Sequence, residues 1–356
     1  YVPYNELLSE LKKINNIVFR SGYSKSEVKK VLEEIFSYQN EDMIAFYNPE
    51  CIGVMHSTKD MFKNTIALKE VFSEKVADKI AETIINCSIS QVVFSSITFG
   101  WKRIAEILHE KNPDIKIKFF WHGAHAMLVQ RDEPYFLYSI MELLDRKIAY
   151  SIGFAKESMA EFYKQKGYNA YFVPNTVKNI SSNVEKIKSD KIVVGLYSAG
   201  SRWEKNTFNQ LSAISLIPNA IVDIAPESKL TTNFCNLMNI EIKEKNLKYM
   251  PRQKLLDRMA KNDVNMYVTF TECSPVLPLE SLELGVPCVT GNNHHYFKGS
   301  KLYDYLVVKS EDDINEIANK ANEAVKNKDE IISLYKEWKK DYDVFVEEKL
   351  KEFING

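Results

Sequence analysis

Short apolar runs alternate with longer amphipathic segments along most of the chain. The runs are rich in β-branched and aromatic residues, which is typical of strands, and the segments between them repeat their apolar positions at helical spacing. Because strands separated by helices pair in parallel through crossover connections, this pattern predicts doubly wound α/β sheets. In the first half of the chain we predict strands at Asn16–Arg20, Asp42–Tyr47, Gln91–Ser95, Ile115–Trp121, Lys147–Ser151 and Ala170–Val173.

The first clear helix of this pattern follows Ser24. A serine before an apolar helical repeat is a common N-cap, and Glu27 lies three residues later, where it can return the hydrogen bond. We therefore predict a capping box at the start of this helix.

The alternation pauses after Pro174 and restarts with the apolar run KIVVGLY. The intervening segment is rich in Asn, Ser and Lys and has no apolar period, which is typical of a linker between domains. We predict four parts: a Rossmann-like domain at 1–174, a linker at 175–190, a second Rossmann-like domain at 191–328 and a C-terminal helix at 329–356. Two doubly wound domains would face each other across a cleft at the carboxyl ends of their strands, where such sheets bind ligands.

The last predicted helix carries an aromatic stripe that includes Tyr335, Trp338 and Tyr342. We expect this stripe to pack back on the body of the protein. A membrane-surface helix is the alternative, and it fits less well because the polar face carries Glu and Asp as well as Lys.

Composition narrows the functional classes. The 356 residues are 45% hydrophobic and 27% charged, which is typical of a globular protein rather than a disordered one. Lys and Arg number 47 against 48 Asp and Glu, so the net charge of −1 argues against binding nucleic acid through bulk positive charge. The five cysteines show no metal-binding spacing, which favours a reducing, cytoplasmic setting, and neither a signal peptide nor a membrane span is evident.

The most informative segment is VNMYVTFTECSPVLPLESLELGVPCVTG, residues 264–291. Val264–Phe270 predicts a buried strand, a polar loop follows, and Pro278 begins a short helix that Gly285 ends. The amides at such a helix N-terminus suit a phosphate group. The segment therefore predicts an anion site at the carboxyl end of a strand.

Glu272 and Glu280 flank this predicted loop, with seven residues between them. Carboxylates accept hydrogen bonds from hydroxyl groups, so the pair suits ribose and sugar hydroxyls beside a diphosphate, as in a nucleotide-sugar. Such a pair also occurs by chance, and a Glu in a first helical turn often only complements the helix dipole. The strand, loop and Pro-bounded helix around the pair favour the functional interpretation.

This segment resembles the Glu-x7-Glu signature of the retaining GT-B glycosyltransferases, and of glycosyltransferase family 4 in particular. Val173–Val177 resembles the Pro-Asn-Gly-Val motif that ends the N-terminal domain in that family, and Val194 to Lys205 resembles the strand and Lys-bearing loop that open its C-terminal domain. The resemblance implies a GT-B fold, with the acceptor on the N-terminal side and the nucleotide-sugar donor on the C-terminal side.

The resemblance also implies roles for individual residues. It makes Glu272 and His122 catalytic, and it makes Glu280, Lys205, Arg202, Ser274 and Leu277 donor-binding. Glu280 would bind the ribose hydroxyls and Glu272 the donor sugar, while Lys205 and Arg202 would neutralise the diphosphate. His122 would lie near the donor sugar, although a structural histidine at a strand end is an equal alternative.

The chain departs from the family pattern in two places. Cys273-Ser274-Pro275 stands where the family has Gly-Phe-Gly, and these residues lack the backbone freedom of glycine. Leu196 stands where the family has Arg, so Arg202 would have to act from the loop.

We therefore expect a retaining, hexosyltransferase-type enzyme that uses a nucleoside-diphosphate-sugar, a carbohydrate or glycoconjugate acceptor and no metal or other cofactor. The acceptor could be a glycan, lipid-linked or protein-linked, and we expect a cytoplasmic protein, with peripheral association at the inner face of the membrane left open. A sugar-nucleotide epimerase of the same fold and a non-catalytic nucleotide-sugar-binding partner are the alternatives. A two-domain solute-binding protein fits less well because no export signal is evident.

Overall fold

The computed structural model describes residues 23–71, 73–130, 133–185, 189–197, 202–244 and 250–356. These ranges contain two parallel β-sheets with helices on their faces. Residues 23–175 are called the N-terminal unit and residues 192–326 the C-terminal unit. The predicted strand Asn16–Arg20 lies outside the described residues.

The sheet of the N-terminal unit has six described strands in the order β2-β1-β3-β4-β5-β6, and every neighbouring pair is parallel. The strands are β1 (Met43–Tyr47), β2 (Thr65–Ala67), β3 (Gln91–Ser95), β4 (Lys116–Trp121), β5 (Ser151–Phe154) and β6 (Ala170–Phe172). The central strands β3, β4 and β5 are buried along most of their length, as parallel strands covered by helices on both faces must be.

Helices separate these strands along the chain. They are α1 (Lys25–Ser37), α2 (Ile52–Met61), α3 (Glu74–Asn86), α4 (Phe99–Lys111), α5 (Glu133–Asp145) and α6 (Glu157–Gln165), with a 3₁₀ helix at His125–Val129. The capping box predicted for α1 is present, since the Glu27 amide donates to Ser24 Oγ at 3.3 Å and the Ser24 amide donates to Glu27 Oε2 at 2.9 Å.

The C-terminal unit repeats this architecture with five described strands in the order β11-β10-β7-β8-β9. The strands are β7 (Ile192–Leu196), β8 (Ala220–Ile224), β9 (Glu241–Ile242), β10 (Val264–Tyr267) and β11 (Cys288–Thr290). Its helices are α7 (Thr207–Ser215), α8 (Lys229–Leu237), α9 (Arg252–Met259), α10 (Val276–Glu283), α11 (Lys301–Leu306) and α12 (Ile314–Lys326), with a 3₁₀ helix at Trp203–Lys205. The predicted fold class of two doubly wound α/β domains is confirmed.

Each sheet has a point at which the strand order reverses. In the N-terminal unit it lies between β1 and β3, and in the C-terminal unit between β7 and β10. At such a point the two connections leave in opposite directions and open a crevice beyond the carboxyl ends of the strands. The loops that follow these four strands are therefore expected to form the functional site.

The final helix, α13 (Lys328–Asn355), leaves the C-terminal unit and packs across to the N-terminal unit. Tyr335, Tyr342 and Phe353 are buried along it, which confirms the expected packing of its aromatic stripe on the body. At its end the buried Lys118 of β4 donates from Nζ to the carbonyl oxygens of Phe353 and Ile354, at 2.7 and 2.5 Å. These bonds satisfy carbonyls that a helix C-terminus leaves without partners.

Two predicted strands have different bounds in the structure, and one strand was missed. The strand predicted at Lys147–Ser151 is Ser151–Phe154, because Lys147 lies in the turn that ends α5 with φ at 59°. Strand β2 was not predicted, since its three residues carry too little pattern to show as a strand. Strand β10 ends at Tyr267 rather than Phe270, and the Val268 amide donates instead to the side chain of Gln210 at 2.9 Å.

One buried apolar cluster continues from the N-terminal unit into the C-terminal unit. It includes Phe120 and Val173 on one side and Val194 and Leu279 on the other. Burial of this surface favours a fixed arrangement of the two units. None of the described helices has the length and the apolar character that crossing a bilayer requires.

Candidate active site

The loops after β7 and β10 form one wall of a cleft between the two units. Because these strands are neighbours in the sheet, Arg202 and Lys205 of the first loop lie beside Glu272 and Ser274 of the second. The Phe270 amide donates to the Glu204 carbonyl at 2.8 Å and joins the two loops. A basic and an acidic loop thus meet at the reversal point of the C-terminal sheet.

Lys205, Tyr267 and Glu272 form a buried cluster in this wall. Lys205 Nζ pairs with Glu272 Oε1 and lies 2.9 Å from the Tyr267 hydroxyl, which donates to the same carboxylate oxygen at 2.7 Å. Burial, followed by the negative charge of Glu272, raises the pKa of Tyr267 well above its usual value. The phenol therefore stays protonated and fixes the carboxylate beside the ammonium group.

The loop after Glu272 is held by the N-terminal unit. Lys156 Nζ donates to the Glu272 carbonyl at 2.6 Å, and burial lowers the pKa of this lysine. Asn175 donates from its amide to Ser274 Oγ at 2.8 Å and from Nδ2 to the Ser274 carbonyl at 2.7 Å. The Cys273-Ser274-Pro275 segment that replaces the glycines of the resembling family thus makes a specific contact between the units.

Helix α10 begins at Val276 with Pro275 at its N-cap, two residues earlier than predicted. Pro278 is therefore its third residue, and Glu280 lies in the second turn rather than in the first. Gly285 follows the helix with φ at 74°, a conformation that favours glycine, so the predicted helix end is correct.

The two donor-binding residues predicted on α10 do not line the described cleft. Glu280 is buried, and its Oε1 accepts a hydrogen bond from Arg252 Nε at 2.8 Å. Burial raises the pKa of this carboxyl and the charge of Arg252 opposes the rise. Leu277 is 8% exposed and packs in an apolar cluster with Tyr197 and Met250.

The opposite wall comes from the reversal point of the N-terminal sheet. Asn48 and Cys51 follow β1, Ser96 and Thr98 follow β3, and His122 follows β4. Together the two walls enclose a cavity of about 360 Å³. Among the predicted site residues, this cavity is lined by His122, Arg202, Lys205, Glu272 and Ser274.

His122 is held in place by neighbours in its own unit. Its Nε2 lies 2.9 Å from Ser95 Oγ, which in turn lies 2.6 Å from Thr58 Oγ1. The Phe120 ring packs on the imidazole with 4.1 Å between ring centroids. Burial lowers the pKa of His122 to about 3, so the ring is neutral at neutral pH and suits a hydrogen-bonding role.

Two contributors to the site were missed in the sequence analysis. Tyr267 ends an apolar strand and was interpreted as core, although a phenol at a strand end carries a polar group to the cleft. Lys156 lies two residues after the end of β5. Its position after a strand could have indicated a site residue, but it belongs to no motif. No group of three or more His, Cys, Asp or Glu side chains positioned to hold a metal occurs among the described residues.

No protein-family model matches the chain, and a search of curated protein sequences found no match. Solved structures are similar to it. Trehalose-6-phosphate synthase OtsA has a TM-score of 0.62 at 11% identity, over 88% of this chain and 97% of that one. The UDP-forming α,α-trehalose-phosphate synthase from Burkholderia xenovorans in complex with glucose-6-phosphate has a TM-score of 0.56 at 12% identity, over 86% and 100%.

The sucrose-phosphate synthase from Thermosynechococcus elongatus is also similar, with a TM-score of 0.55 at 12% identity over 91% of this chain and 94% of that one. These likenesses establish that the chain has the GT-B fold that the sequence predicted. They do not distinguish glycosyltransferase family 4 from other families with this fold, so that finer assignment stays a prediction.

Proposed function

We propose that this protein is a retaining glycosyltransferase that moves a hexosyl unit from a nucleoside-diphosphate-sugar to the hydroxyl group of an acceptor. The observation that carries the proposal is the cleft at the reversal points of both sheets, with Arg202, Lys205 and Glu272 on one wall and His122 on the other. The similar structures include a UDP-forming trehalose-phosphate synthase and a sucrose-phosphate synthase, and these names support glycosyl transfer on the same fold.

The proposed donor site lies on the C-terminal wall. The side chain of Arg202 is 46% exposed, and Lys205 is buried beside it. Both can therefore bind one diphosphate, Lys205 from inside the cleft and Arg202 at its mouth. Positive groups aimed at the departing phosphate stabilise the charge that develops there. In this proposal they take the place of a divalent metal.

The proposed reaction keeps the anomeric configuration. The bond between C1 of the sugar and the diphosphate oxygen breaks, the acceptor oxygen bonds to C1 on the same face, and the acceptor proton passes to the departing diphosphate. Neutral His122 would accept or donate a hydrogen bond at the sugar, and Glu272 would accept from a sugar hydroxyl.

The N-terminal wall indicates the class of acceptor. It presents Asn48, Ser96, Thr98 and the carboxylate of Glu133, beside the rings of Trp121 and Phe136. Neutral hydrogen-bonding groups and aromatic faces suit a sugar, and Glu133 disfavours a phosphate group nearby. We therefore propose an uncharged carbohydrate portion at this wall, in contrast to the glucose-6-phosphate of the Burkholderia xenovorans enzyme.

Nucleotide binding tests the proposal directly. A thermal-shift screen with UDP, GDP, ADP and CDP should show that one of them raises the melting temperature, because a ligand that binds only the folded state stabilises it. The matching nucleotide-sugar, incubated with a mixture of neutral oligosaccharides, should then give a product whose anomeric configuration NMR reports as retained. Epimerised donor without acceptor would instead favour the epimerase.

Arg202→Gln should weaken binding of that nucleoside diphosphate by about tenfold or more, the usual size of a charged hydrogen-bond contribution. Lys191→Gln is a matched control. Lys191 has the same side-chain exposure as Arg202, but it lies directly before β7 rather than in the loop after it, and it pairs with Glu241 outside the cleft. Equal affinities in the two variants would contradict the assignment of Arg202 to the diphosphate.

A further inference from the structure

Two aromatic side chains are exposed at the mouth of the cleft. Trp203 directly follows Arg202 in the loop after β7, and Phe270 lies two residues before Glu272 in the loop after β10. Trp203 is 55% exposed and Phe270 is 39% exposed. Their rings are near-parallel, with 6.3 Å between centroids and 24° between planes. We call this pair the aromatic platform.

The platform is fixed at the seam between the two units. The Phe270 amide donates to the Glu204 carbonyl at 2.8 Å, so the two loops that carry the rings are joined. Glu204 is itself buried, and its Oε1 accepts a hydrogen bond from Gln130 Nε2 of the N-terminal unit at 3.0 Å. The rings therefore lie beside the lining of the cavity, on a part of the loop that both units hold.

The exposure of this pair points to a ligand. Of the four tryptophans in the chain, Trp203 is the most exposed, since Trp101 and Trp121 are buried and Trp338 is half-buried. Single exposed apolar side chains are common on protein surfaces, whereas adjacent ones at the mouth of a cavity are typical of binding sites. Near-parallel rings at this centroid distance are offset, so part of each face stays available for contact.

The size of the cavity indicates which part of a substrate reaches the platform. Its volume of about 360 Å³ lies near the lower end of the range for ligand sites, which is about 300–1,000 Å³. In the proposed reaction this space holds the donor sugar and the acceptor sugar that carries the reacting hydroxyl. Any further unit of the acceptor must therefore leave the cavity across its rim.

The charges around the platform favour a sugar over a membrane surface. Aromatic side chains that bind membranes are usually accompanied by clusters of Lys and Arg. Here the neighbouring cation, Arg202, lies 3.0 Å from the carboxylate of Glu204, and Lys205 is paired with Glu272. The C–H groups on one face of a pyranose ring suit the electron-rich face of an aromatic ring, and this contact needs no charge.

We propose that Trp203 and Phe270 form a subsite for a neutral sugar unit of an oligosaccharide acceptor, the unit next to the one inside the cavity. The proposal rests on the proposed function and deepens it, because it makes the acceptor an oligosaccharide rather than a single sugar. One face of the second sugar packs on the rings, and the hydroxyl groups at its edge remain in water. The platform touches the acceptor away from the reacting atoms and sets its affinity.

The test uses an array of neutral glycans that range from mono- to hexasaccharides, probed with the labelled full chain in the presence of the nucleoside diphosphate selected by the thermal-shift screen. The wild-type protein should retain oligosaccharides more strongly than the corresponding monosaccharides. Trp203→Ala should weaken binding of the best oligosaccharide by about fivefold to tenfold in calorimetry, the affinity equivalent of an aromatic contact. It should leave nucleoside diphosphate affinity unchanged, because Arg202 and Lys205 remain.

Trp203→Phe separates the ring from the rest of the residue. This variant should keep most of the oligosaccharide affinity, while the change in tryptophan fluorescence that the oligosaccharide causes in the wild type should largely disappear. Phe36→Ala is the matched control, since Phe36 is 57% exposed on α1 of the N-terminal unit, and it should bind the oligosaccharide as the wild type does. Phe270→Ala provides a second variant of the platform, should Trp203→Ala fold poorly.

Several outcomes would overturn the inference and leave donor binding standing. They are wild-type oligosaccharide affinity in Trp203→Ala, equal losses of oligosaccharide and nucleoside diphosphate affinity in that variant, and a wild-type protein that binds the nucleotide but no glycan of the array. Sedimentation with phosphatidylglycerol vesicles that Trp203→Ala abolishes, without a change in glycan binding, would assign the platform to a membrane instead. Failure of the wild-type protein to bind any of the four nucleotides would overturn the proposed function itself.

Discussion

At the scale of single residues, the cleft is held by pairs of opposite charge that are complete without a ligand. Lys205 is bound by Glu272 and Tyr267, and each of the three is largely removed from water. A buried ion pair is stable as a pair, and the loss of one partner is costly because the other charge remains without compensation. A diphosphate entering the cleft must therefore share Lys205 with Glu272.

Lys205→Met should lower the free energy of unfolding by about 3–5 kcal/mol, because Glu272 would be left buried without its cation. Tyr267→Phe removes two hydrogen bonds, one to Glu272 and one from Lys205, but keeps the ion pair, so it should cost only about 1–2 kcal/mol. Urea unfolding at neutral pH measures both. Similar losses in the two variants would show that charge compensation is not the main role of Lys205.

The residues near the cleft differ in how well their sequence context predicts them. Lys205 and Glu272 follow strands, and the carboxyl ends of parallel strands share one edge of a sheet, so their meeting could be predicted. The orientation of Glu280 depends instead on the residue at which α10 begins. The helix begins two residues before Pro278, so Glu280 lies four residues after the first helical residue rather than two. Because each residue turns about 100°, the direction of Glu280 relative to that first residue differs from the prediction by about 200°.

At the scale of elements, the predicted strand and helix alternation is accurate where the pattern is long and the boundaries are marked by special residues. Helix α10, which carries the second Glu of the Glu-x7-Glu signature, ends at Gly285 as predicted, because a positive φ after a helix favours glycine. Strands of three residues, such as β2, lie below the length at which a period is visible.

Gly285→Ala should destabilise the protein by about 1 kcal/mol, because alanine is strained at a φ of 74°. No atom lies within 4 Å of the added methyl group, so strain is the whole effect. Gly53→Ala is the matched control: its methyl group also meets open space, and Gly53 lies inside α2 without a positive φ. The control should be neutral or stabilising by up to about 1 kcal/mol in thermal unfolding, since alanine favours a helix; the same loss in both variants would contradict the assignment of strain to Gly285.

At the scale of the whole molecule, several histidines are partly or fully buried and neutral. Burial lowers the pKa of His122 and of His294 to about 3, and the pKa of His56 to about 4. Below the ordinary histidine pKa of about 6.5, the unfolded chain takes up protons that the folded protein does not. Stability contributed by these groups is therefore complete above about pH 6.5 and decreases as the pH falls toward the folded values.

The substitution His294→Asn removes one of these histidines and therefore measures its share of the pH dependence of stability. Between about pH 6 and 4, the free energy of unfolding of the variant should fall less steeply than that of the wild type, by about 1.4 kcal/mol per pH unit. Buried carboxyl groups with raised pKa values, such as Glu70 and Glu280, act in the opposite direction in both proteins and cancel from the difference. Urea unfolding at several pH values measures the two slopes, and parallel slopes would contradict the buried, neutral state of His294.

Two features of the whole molecule lay beyond the sequence pattern. Contacts between the units, such as Asn175 with Ser274 and Lys156 with the Glu272 carbonyl, join residues about a hundred positions apart. No local period encodes such a pairing, because it depends on how two finished sheets meet. The general fold could therefore be predicted, while the partners across the cleft required the structure.

The chain passes between the units twice, first after β6 and again within α13, and the two passages touch. Tyr342 of the helix donates to the Asn175 carbonyl at 2.7 Å, and Thr176 donates to Asp343 at 2.7 Å. If the two units move relative to each other at all, two adjacent tethers restrict that motion chiefly to a rotation about a line through their point of contact. Any widening of the cleft for substrate entry would then be smallest beside Asn175 and greatest at the far rim, so large acceptors would be admitted from the side opposite the tethers.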